Sequence, residues 1–271
     1  MNTVTVGSLI IGERQPLTVI AGPCVIENQG MCEEVCGALQ RVCHDLGLSY
    51  IFKGSYDKAN RMSLKSERGP GAAKGLKVLA ALKKQFGVPV LTDIHHPEEA
   101  REAATVCDIL QIPALLSRQT DLIVAAAKTK KVVNVKKGQF MAPEDMRYVA
   151  EKIERSGNRN ILLTERGTTF GYHQLVADLR SLRHLRAIGY PVIFDASHSA
   201  QQPGAGKGKS GGDREDVALL AKAATAAGIN GLFLEVHPRP DKALSDASTQ
   251  IDLKTTARLL ERVAAIHSIV S

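Results

Sequence analysis

Residues 191–198 read PVIFDASH, a short apolar run that ends in polar residues. The same order, an apolar run, a polar end and then a stretch of helical periodicity, recurs along the whole chain. The eight runs are LTVIAGPC (17–24), YIFKGS (50–55), VPVLTDIH (88–95), DILQIP (108–113), VVNVKKG (132–138), NILLTERG (160–167), PVIFDASH (191–198) and GLFLEVHP (231–238). Eight strand–helix units in series predict an α/β protein, a (β/α)8 barrel of parallel strands.

The stretches between the runs carry helix signals, such as Pro143 followed by Glu144 and an aspartate. Helices are expected at 29–46, 71–86, 97–106, 119–129, 143–157, 175–187, 213–227 and 252–269. Before the first run, the first 15 residues alternate in polarity and predict a short N-terminal β-hairpin. No linker divides the chain, and its length fits a barrel of about 250 residues. We therefore expect one domain over residues 1–271.

Composition excludes several classes of function. The net charge of +7 comes from 35 basic and 28 acidic residues, but the basic residues are scattered and the chain has no Trp and 4% aromatic residues, so no nucleic-acid partner is expected. No apolar run approaches the ~20 residues that span a bilayer, and no signal peptide is visible. These patterns predict a cytoplasmic protein with no membrane partner.

The cysteines do not suggest a disulfide framework. Five are present, an odd number in a chain without a secretory signal. Cys32, Cys36, Cys43 and Cys107 are expected to be buried thiols in or near helices. Cys24 differs, because it stands at the end of the first strand.

The polar ends of the eight strands predict one pocket. In a (β/α)8 barrel the carboxyl ends of all strands meet at the mouth where active sites form. The expected pocket holds Cys24, Lys53, Asp93, Gln111, Lys136, Arg166, Asp195, His198 and Glu235. Lysine and arginine at several strand ends favour a phosphorylated or carboxylated substrate. Of the adjacent Lys136 and Lys137 only one can face the pocket, and alternation alone does not say which.

Three of these residues and one loop residue offer donor atoms for a metal. Cys24, His198, Glu235 and Asp246 supply a thiolate, an imidazole and two carboxylates, which suit a borderline divalent ion with open positions. The same four could be unrelated structural residues, but the first and eighth strands are neighbours in a closed barrel. His237 is a reserve ligand. Asp93 and Asp195 could each act as a base, orient a neighbour or support the metal from behind its ligands, and Asp93 could instead cap a helix or loop.

Three connections at the mouth are longer than a barrel needs: residues 55–70, 199–212 and 236–251. Long irregular loops in compact domains are commonly functional, and the glycine-rich segment 203–212 is predicted to be a mobile lid. It approaches a phosphate-binding P-loop, but Pro203 stands where the first glycine is required. Nucleotide binding is therefore not predicted.

Several longer motifs resemble one family. They are IAGPCVIEN, FKGSYDKANR, QIPALLSRQTDL, NVKKGQF, LTERGTTFGY, FDASHSAQQPG and EVHPRPDKALSDASTQ. Together they make the chain similar, over about residues 17–252, to the 3-deoxy-D-manno-octulosonate 8-phosphate synthases. The resemblance implies condensation of phosphoenolpyruvate with arabinose 5-phosphate and release of phosphate. It also implies a place in lipopolysaccharide sugar synthesis and a cytoplasmic homotetramer.

The resemblance assigns roles position by position. Cys24 places the chain with the metal-dependent class, whose ligands to one divalent ion (Mn²⁺, Fe²⁺, Zn²⁺ or Co²⁺) would be Cys24, His198, Glu235 and Asp246. Phosphoenolpyruvate would be held by Lys53, Lys58, Lys136 and Arg166, and the sugar phosphate by Asn60 and Arg61. Gln111 is expected to bind substrate because it ends a strand at the mouth. Arg118 would reach into a neighbouring subunit's site. Catalytic roles are expected for Lys53, Asp93, His198 and Asp246. Met62 stands where the family has serine, so one hydroxyl contact to the sugar phosphate would be missing.

Other functions remain open from the sequence. The related 3-deoxy-D-arabino-heptulosonate 7-phosphate synthases, which use erythrose 4-phosphate, share the first-strand, metal and phosphoenolpyruvate features, but the DKANR motif at 57–61 favours the first family. A hypothesis from another functional class is a non-catalytic barrel that binds phosphorylated ligands. A lysine Schiff-base aldolase is a further one.

Overall fold

The computed structural model describes residues 2–205 and 211–271. Eight parallel strands close into a barrel in chain order, and the last of them pairs with the first. These strands are β3 (Thr18–Gly22), β4 (Ser49–Lys53), β5 (Val90–Asp93), β6 (Ile109–Ile112), β7 (Val132–Lys136), β8 (Ile161–Glu165), β11 (Val192–Asp195) and β14 (Gly231–Glu235). The predicted (β/α)8 barrel is confirmed.

Helices cover the outside of the barrel and pack their apolar faces on it. They are α1 (Gln29–Asp45), α2 (Ala72–Phe86), α3 (Glu99–Ala103), α4 (Thr120–Lys128), α5 (Met146–Arg155), α6 (Arg180–Ala187), α7 (Ala196–Ser199), α8 (Arg214–Ala226) and α9 (Leu253–Val270). Side-chain caps begin some of them: Asn28 accepts from Met31 N–H at 2.9 Å and Asp252 accepts from Thr255 N–H at 2.8 Å. Such caps satisfy N–H groups that a helix start leaves without partners.

The N-terminal hairpin is confirmed and closes one end of the barrel. Strands β1 (Val4–Val6) and β2 (Leu9–Ile11) pair antiparallel. Their buried side chains join an apolar layer inside the barrel, to which each barrel strand contributes one residue: Ile20, Ile51, Leu91, Ile109, Val132, Leu162, Ile193 and Phe233. Because side chains alternate along a strand, the residues two positions further also face inward, and on β7 and β8 so do Lys136 and Arg166, four positions further.

The structure differs from the sequence prediction in its helix boundaries. The helix expected at 175–187 begins only at Arg180, because Leu175–Val176 form strand β10, paired with β9 (Thr168–Thr169). The helix expected at 97–106 is reduced to α3, and the one expected from 143 begins as a 3₁₀ turn over Pro143–Asp145. The four-residue helix α7 was not predicted.

The three long connections lie at the carboxyl end of the barrel as expected. In the second, β12 (Gln201–Gln202) pairs with β13 (Gly211–Gly212), and the predicted lid at 203–212 falls partly outside the described residues, since 206–210 are not described. In the third, Val236 bridges to Ile251. No helix within the described ranges is long and apolar enough to cross a membrane.

At Gly22 the backbone of β3 lies close against β4. A Cβ at this position would overlap the carbonyl oxygen of Lys53, and a closed barrel leaves neither strand room to move. We expect Gly22→Ala to lower the free energy of unfolding by about 3 kcal/mol, measured by urea denaturation. Gly30→Ala is the control, since its added Cβ would come only to 3.7 Å from Asn28 Oδ1. Equal stability of the two variants would contradict the prediction.

Candidate active site

The mouth of the barrel gathers donor atoms from the first strand, the last strand and the loop that follows it. Cys24 Sγ, Asp246 Oδ2 and a carboxylate oxygen of Glu235 lie within 4.8 Å of one another, with 3.3 Å between Cys24 Sγ and Asp246 Oδ2. Cys24 and Glu235 are fully buried. Asp246 adopts a left-handed backbone conformation with φ of 48°.

His198 lies at the edge of this cluster. Its Nε2 is 3.6 Å from Glu235 Oε1 and 3.8 Å from Asp246 Oδ2, while its Nδ1 is 2.8 Å from Asp195 Oδ2. A proton on Nδ1 facing Asp195 leaves the Nε2 lone pair directed at the cluster. Metal-binding histidines are commonly held in this way by a carboxylate behind the ring.

The three clustered donors, with His198 at their edge, have the chemistry to hold a divalent cation. Glu235 Oε2 is buried and has no hydrogen-bond partner among the residues that the structure describes, an arrangement that costs free energy unless a cation or donor satisfies it. Burial raises the pKa of the Cys24 thiol, and so do the charges of Asp246 and Glu235. A cation bound here would reverse that effect, because metals bind the thiolate.

Lys53 closes the inner side of the cluster. It is fully buried, and its Nζ donates to the carbonyl oxygens of Pro23 at 3.1 Å and Cys24 at 2.8 Å and to Glu235 Oε1 at 2.9 Å. An ammonium has three hydrogens, so these acceptors use all of them. Lys53 therefore holds the Pro23–Cys24 turn and Glu235 in place, and it has no hydrogen left to donate to a substrate in this arrangement.

Lys136 is the central cation of the mouth. Its Nζ donates to Asp195 Oδ2 at 2.6 Å and lies 3.8 Å from the centre of the Phe233 ring. Burial lowers its pKa, and the charge of Asp195 opposes that effect. The structure decides between the two adjacent lysines: Val132, Asn134 and Lys136 share the inward face of β7, whereas Lys137 lies on the other face.

Arg166 follows β8, the strand that pairs with β7. Its side chain is buried, its Nη2 donates to Gln201 Oε1 at 3.4 Å, and its Nη1 has no partner among residues 2–205 and 211–271. Burial lowers the pKa of the guanidinium, against the attraction of Asp195 and Glu165. Lys58, from the second-strand loop, lies 3.5 Å from Asp93 Oδ2 and 3.9 Å from Glu235 Oε1. Lys58, Lys136 and Arg166 thus concentrate positive charge beside the metal-ligand cluster.

A buried chain of polar side chains crosses the barrel below these cations. Ser55 and the amide of Gln111 donate to Asp93. Gln111 Oε1 accepts from Asn134 Nδ2 at 2.9 Å, and Thr164 donates to Asn134 Oδ1 at 2.6 Å. The chain orients the carboxylate and the amide at the mouth. Asn134 and Thr164 were not predicted as site residues, although a polar residue in the apolar runs VVNVKK and NILLTE is the signal for them.

Asp93 is ionised in this setting. Burial favours the neutral acid, but Lys58, Lys53 and Lys136 outweigh it and hold the pKa of Asp93 well below its usual range. A carboxylate with so low a pKa is a weak base, which favours an orienting role over proton abstraction.

The depressed pKa predicts acid sensitivity. A carboxylate whose pKa is lower in the folded state contributes stability that is complete above its unfolded pKa, near 3.9, and is lost as pH falls below that value. Below about pH 4, Asp93 should therefore add about 1.4 kcal/mol per pH unit to the fall in stability. Denaturant unfolding from pH 5 to 3 should show a shallower fall for Asp93→Asn than for the unchanged chain, and parallel curves would contradict this.

The remaining predicted site residues lie further out. Asn60 is exposed, and Arg61 donates from Nε to Glu67 O at 2.9 Å. Met62 is 69% exposed, and Arg118 is exposed near the start of α4. His237, the reserve ligand, lies against Glu27, with 3.3 Å between Nε2 and Oε1, and is not part of the donor cluster.

Other residues that support the cluster escaped the sequence analysis. Ser245 Oγ accepts from the Cys24 thiol at 2.9 Å, and Gln250 Oε1 accepts from Cys24 N–H at 3.2 Å. The Ser197 hydroxyl accepts from Glu235 N–H at 2.8 Å. These contacts join residues up to 226 positions apart, and no local spacing predicts them.

Comparison with known proteins identifies the family of this chain. The DAHP synthetase I family profile matches residues 2–270. A 2-dehydro-3-deoxyphosphooctonate aldolase of Geobacter sp. (strain M21) is 53% identical over 268 residues, which cover 99% of this chain and 98% of the relative. The proteins of that name from Protochlamydia amoebophila and Fusobacterium nucleatum are each 49% identical over 270 residues, covering the whole chain and 98% and 97% of the relatives. The chain therefore belongs to the DAHP synthetase I family and groups with its 2-dehydro-3-deoxyphosphooctonate aldolases.

Proposed function

We propose that the chain condenses phosphoenolpyruvate with D-arabinose 5-phosphate and water to give 3-deoxy-D-manno-octulosonate 8-phosphate and phosphate, a step of lipopolysaccharide sugar synthesis. The observation that carries the proposal is the union at one barrel mouth of a cysteine–carboxylate cluster and a set of buried cations. Full-length relatives with this activity in their name support it. We also propose a cytoplasmic location.

Phosphoenolpyruvate has a carboxylate and a phosphate, and the mouth offers matching donors. We assign its binding to Lys58, Lys136 and Arg166, whose positive charges face the cavity. Arg166 is suited to a two-oxygen contact because its Nη1 is buried with no partner in the described part of the chain. Gln111 lies at the base of the binding cavity, and Lys53 contributes indirectly by holding Glu235 in place.

For the cofactor we propose one divalent cation held by Cys24, His198, Glu235 and Asp246. Such an ion supplies Lewis-acid polarisation and a fixed orientation for an aldehyde or a water oxygen. The mixed sulfur, nitrogen and oxygen donors admit Mn²⁺, Fe²⁺, Zn²⁺ or Co²⁺. Asp195 keeps the His198 ring in place, and Lys136 balances the charge of Asp195.

Negative charge must be accommodated as the carbon–carbon bond forms and phosphate leaves. The fixed charges of Lys136 and Arg166 would stabilise it without reorganisation, since buried donors already point at the cavity. We propose that Asp93 orients Lys58 and Asp195 orients Lys136, and that neither exchanges protons, because each carboxylate has its pKa held well below the usual range by neighbouring positive charge, against the effect of burial.

The aldose end of the site is the least enclosed. We propose that Asn60 and Arg61 contact the sugar phosphate and that the active form is a homotetramer, with Arg118 completing a neighbouring subunit's site. The exposure of Arg118 and of the apolar Leu115 beside it, 50% accessible, supports a partner surface there. Met62 removes a hydroxyl from this region, so we expect weak binding of the aldose phosphate.

Phosphate release with two aldoses tests the proposal. Purified chain with phosphoenolpyruvate should release phosphate with arabinose 5-phosphate and much less with erythrose 4-phosphate. The reverse preference would assign the heptulosonate reaction instead. Phosphoenolpyruvate binding without release at any metal loading would show a sensor. A borohydride-trapped lysine adduct would show Schiff-base chemistry, which the full hydrogen-bonding of Lys53 argues against.

A further inference from the structure

A further buried ion pair, formed by Lys137 and Glu165, lies behind the mouth, on the outer face of strands β7 and β8. Both side chains are excluded from solvent, at 0% and 1% exposure, and Lys137 Nζ is 3.6 Å from Glu165 Oε1. Each is the chain neighbour of a cation of the mouth: Lys137 follows Lys136, and Glu165 precedes Arg166. Since burial of an ion pair commonly stabilises a fold no better than apolar residues of the same size, stability alone does not account for this pair.

The Glu165 carboxylate shapes the turn that carries Arg166. Its Oε1 accepts from the backbone N–H groups of Arg166 at 3.0 Å and Gly167 at 2.7 Å. Gly167 has a φ of +91°, in the region where side chains other than hydrogen are strained. Two hydrogen bonds to one carboxylate oxygen and a glycine-only conformation thus define the direction in which Arg166 leaves β8.

Lys137 ties this turn to the neighbouring one. Its Nζ donates to the carbonyl oxygens of Gly138 and Met141, each at 3.3 Å, and to the hydroxyl of Thr168 at 3.0 Å. The first two acceptors belong to the connection after β7 and the third to the one after β8. Lys137 therefore links the two segments that present Lys136 and Arg166.

The head group of Arg166 has little else to hold it. Gln201 accepts from it at 3.4 Å, a long hydrogen bond, and Nη1 has no partner in the described ranges. Asp195, by contrast, holds Lys136 at 2.6 Å. The position of the guanidinium consequently depends on its backbone, and its backbone depends on Glu165.

We infer that Glu165 and Lys137 are positioning residues, which set the turn of Arg166 and through it the affinity for phosphoenolpyruvate. The inference rests on the proposed function, because it takes Arg166 as a contact of that substrate. Neither residue touches the substrate. Their removal should affect the doubly anionic substrate and spare the aldose phosphate, which is assigned to another loop.

Two substitutions at Glu165 separate the acceptor from the charge. Glu165→Ala removes the acceptor of both N–H groups and should raise KM for phosphoenolpyruvate by about tenfold or more, with KM for arabinose 5-phosphate within about twofold. In Glu165→Gln the amide oxygen still accepts both N–H groups, and KM for phosphoenolpyruvate should stay within about threefold of the original value. Should Glu165→Ala not fold, Gly167→Ala strains the same turn and should raise the same KM.

Asp108→Ala is the matched control. Asp108 also pairs with a lysine, Lys83 at 2.6 Å, and accepts a backbone N–H, from Val90 at 3.0 Å, but it precedes β6, at the end of the barrel opposite the mouth. Asp108→Ala should lower the midpoint temperature of thermal unfolding and leave the KM values for both substrates unchanged. Equal KM increases for both substrates in Glu165→Ala, or equal effects of Glu165→Ala and Glu165→Gln, would overturn the inference.

The two proposals fail separately. Phosphoenolpyruvate affinity is also measured directly by calorimetry, without aldose. If the unchanged chain turns over and Glu165→Ala binds phosphoenolpyruvate as tightly, the positioning role is wrong and the proposed function stands. If the unchanged chain binds it without turnover and Glu165→Ala binds it about tenfold more weakly, the positioning role stands and the reaction is wrong. If the unchanged chain neither binds it nor turns over, both are wrong.

Discussion

Replacing Glu235 by glutamine is expected to remove the metal and to lower kcat by about a thousandfold, equivalent to about 4 kcal/mol of transition-state stabilisation. Oε1 of Glu235 accepts from Lys53 at 2.9 Å, whereas Oε2 is buried with no partner among the described residues. In the variant the amide oxygen would stay with the Lys53 donor. The amide nitrogen would then point two hydrogens at the place where a cation needs a lone pair.

Metal content is the primary measurement for this variant. After desalting, the unchanged chain should retain about one divalent ion per subunit and Glu235→Gln almost none, as measured by atomic emission. A chelator should abolish turnover of the unchanged chain, and Mn²⁺ or Co²⁺ should restore it. Added metal should not restore Glu235→Gln.

Glu165→Gln is the control for metal content. Glu165 is also buried, also pairs with a lysine and also has an Oε2 with no partner in the described part of the chain, but it lies outside the donor cluster. The Glu165→Gln variant should therefore retain the divalent ion. Full turnover of the unchanged chain in chelator, or a metal-loaded Glu235→Gln, would refute the metal assignment.

The sequence was sufficient to predict the barrel and the meeting of Cys24, Glu235 and Asp246 at its mouth. Parallel strands in chain order carry their polar ends to the same side, so the order of polar residues along the chain becomes a list of neighbours. Cys24 and Glu235 illustrate this: they are 211 positions apart, yet they end strands that pair with each other, as the register of Glu235 with Gly22 shows. Closure of the barrel is the reason why a linear pattern predicted a three-dimensional cluster.

Loop contacts and helix starts were beyond the sequence pattern. The expected helix at 175–187 was wrong in its first turn because Leu175 and Val176 pair with another segment of chain, and apolar periodicity does not distinguish such a strand from a helical turn. Ser245 and Gln250 were missed because their role is to accept hydrogen bonds from Cys24. Serine and glutamine are common in solvated loops, so their type alone carried no signal.

The direction of a side chain near a strand end was also undecided. Lys136 and Lys137 are chemically identical neighbours, and the phase of the inward face was needed to separate them. Val132 supplies that phase, since it belongs to the apolar layer inside the barrel. Counting two and four residues onward reaches Asn134 and Lys136, and Lys137 falls on the other face.

Replacing Arg166 by methionine is expected to move activity and stability in opposite directions. Its guanidinium is buried with one nitrogen lacking a partner in residues 2–205 and 211–271, and burial lowers its pKa despite the nearby carboxylates. An apolar side chain of similar length removes the cost of burying the charge, so the free energy of unfolding should rise by about 1 kcal/mol. The unfavourable burial is explained if a substrate anion completes the site.

Loss of that anion contact should cost far more in catalysis. We expect kcat/KM for phosphoenolpyruvate to fall by about a thousandfold in Arg166→Met. Arg186→Met is the control: Arg186 lies on α6 and donates to Ala227 O at 2.8 Å, so its loss should lower stability slightly and leave kcat/KM unchanged. Steady-state kinetics and urea unfolding on the same preparations give both quantities. If Arg166→Met were less stable than the unchanged chain and nearly as active, Arg166 would be a structural residue. A residue that serves to bind a substrate anion should instead destabilise the protein without substrate and stabilise its complex with substrate.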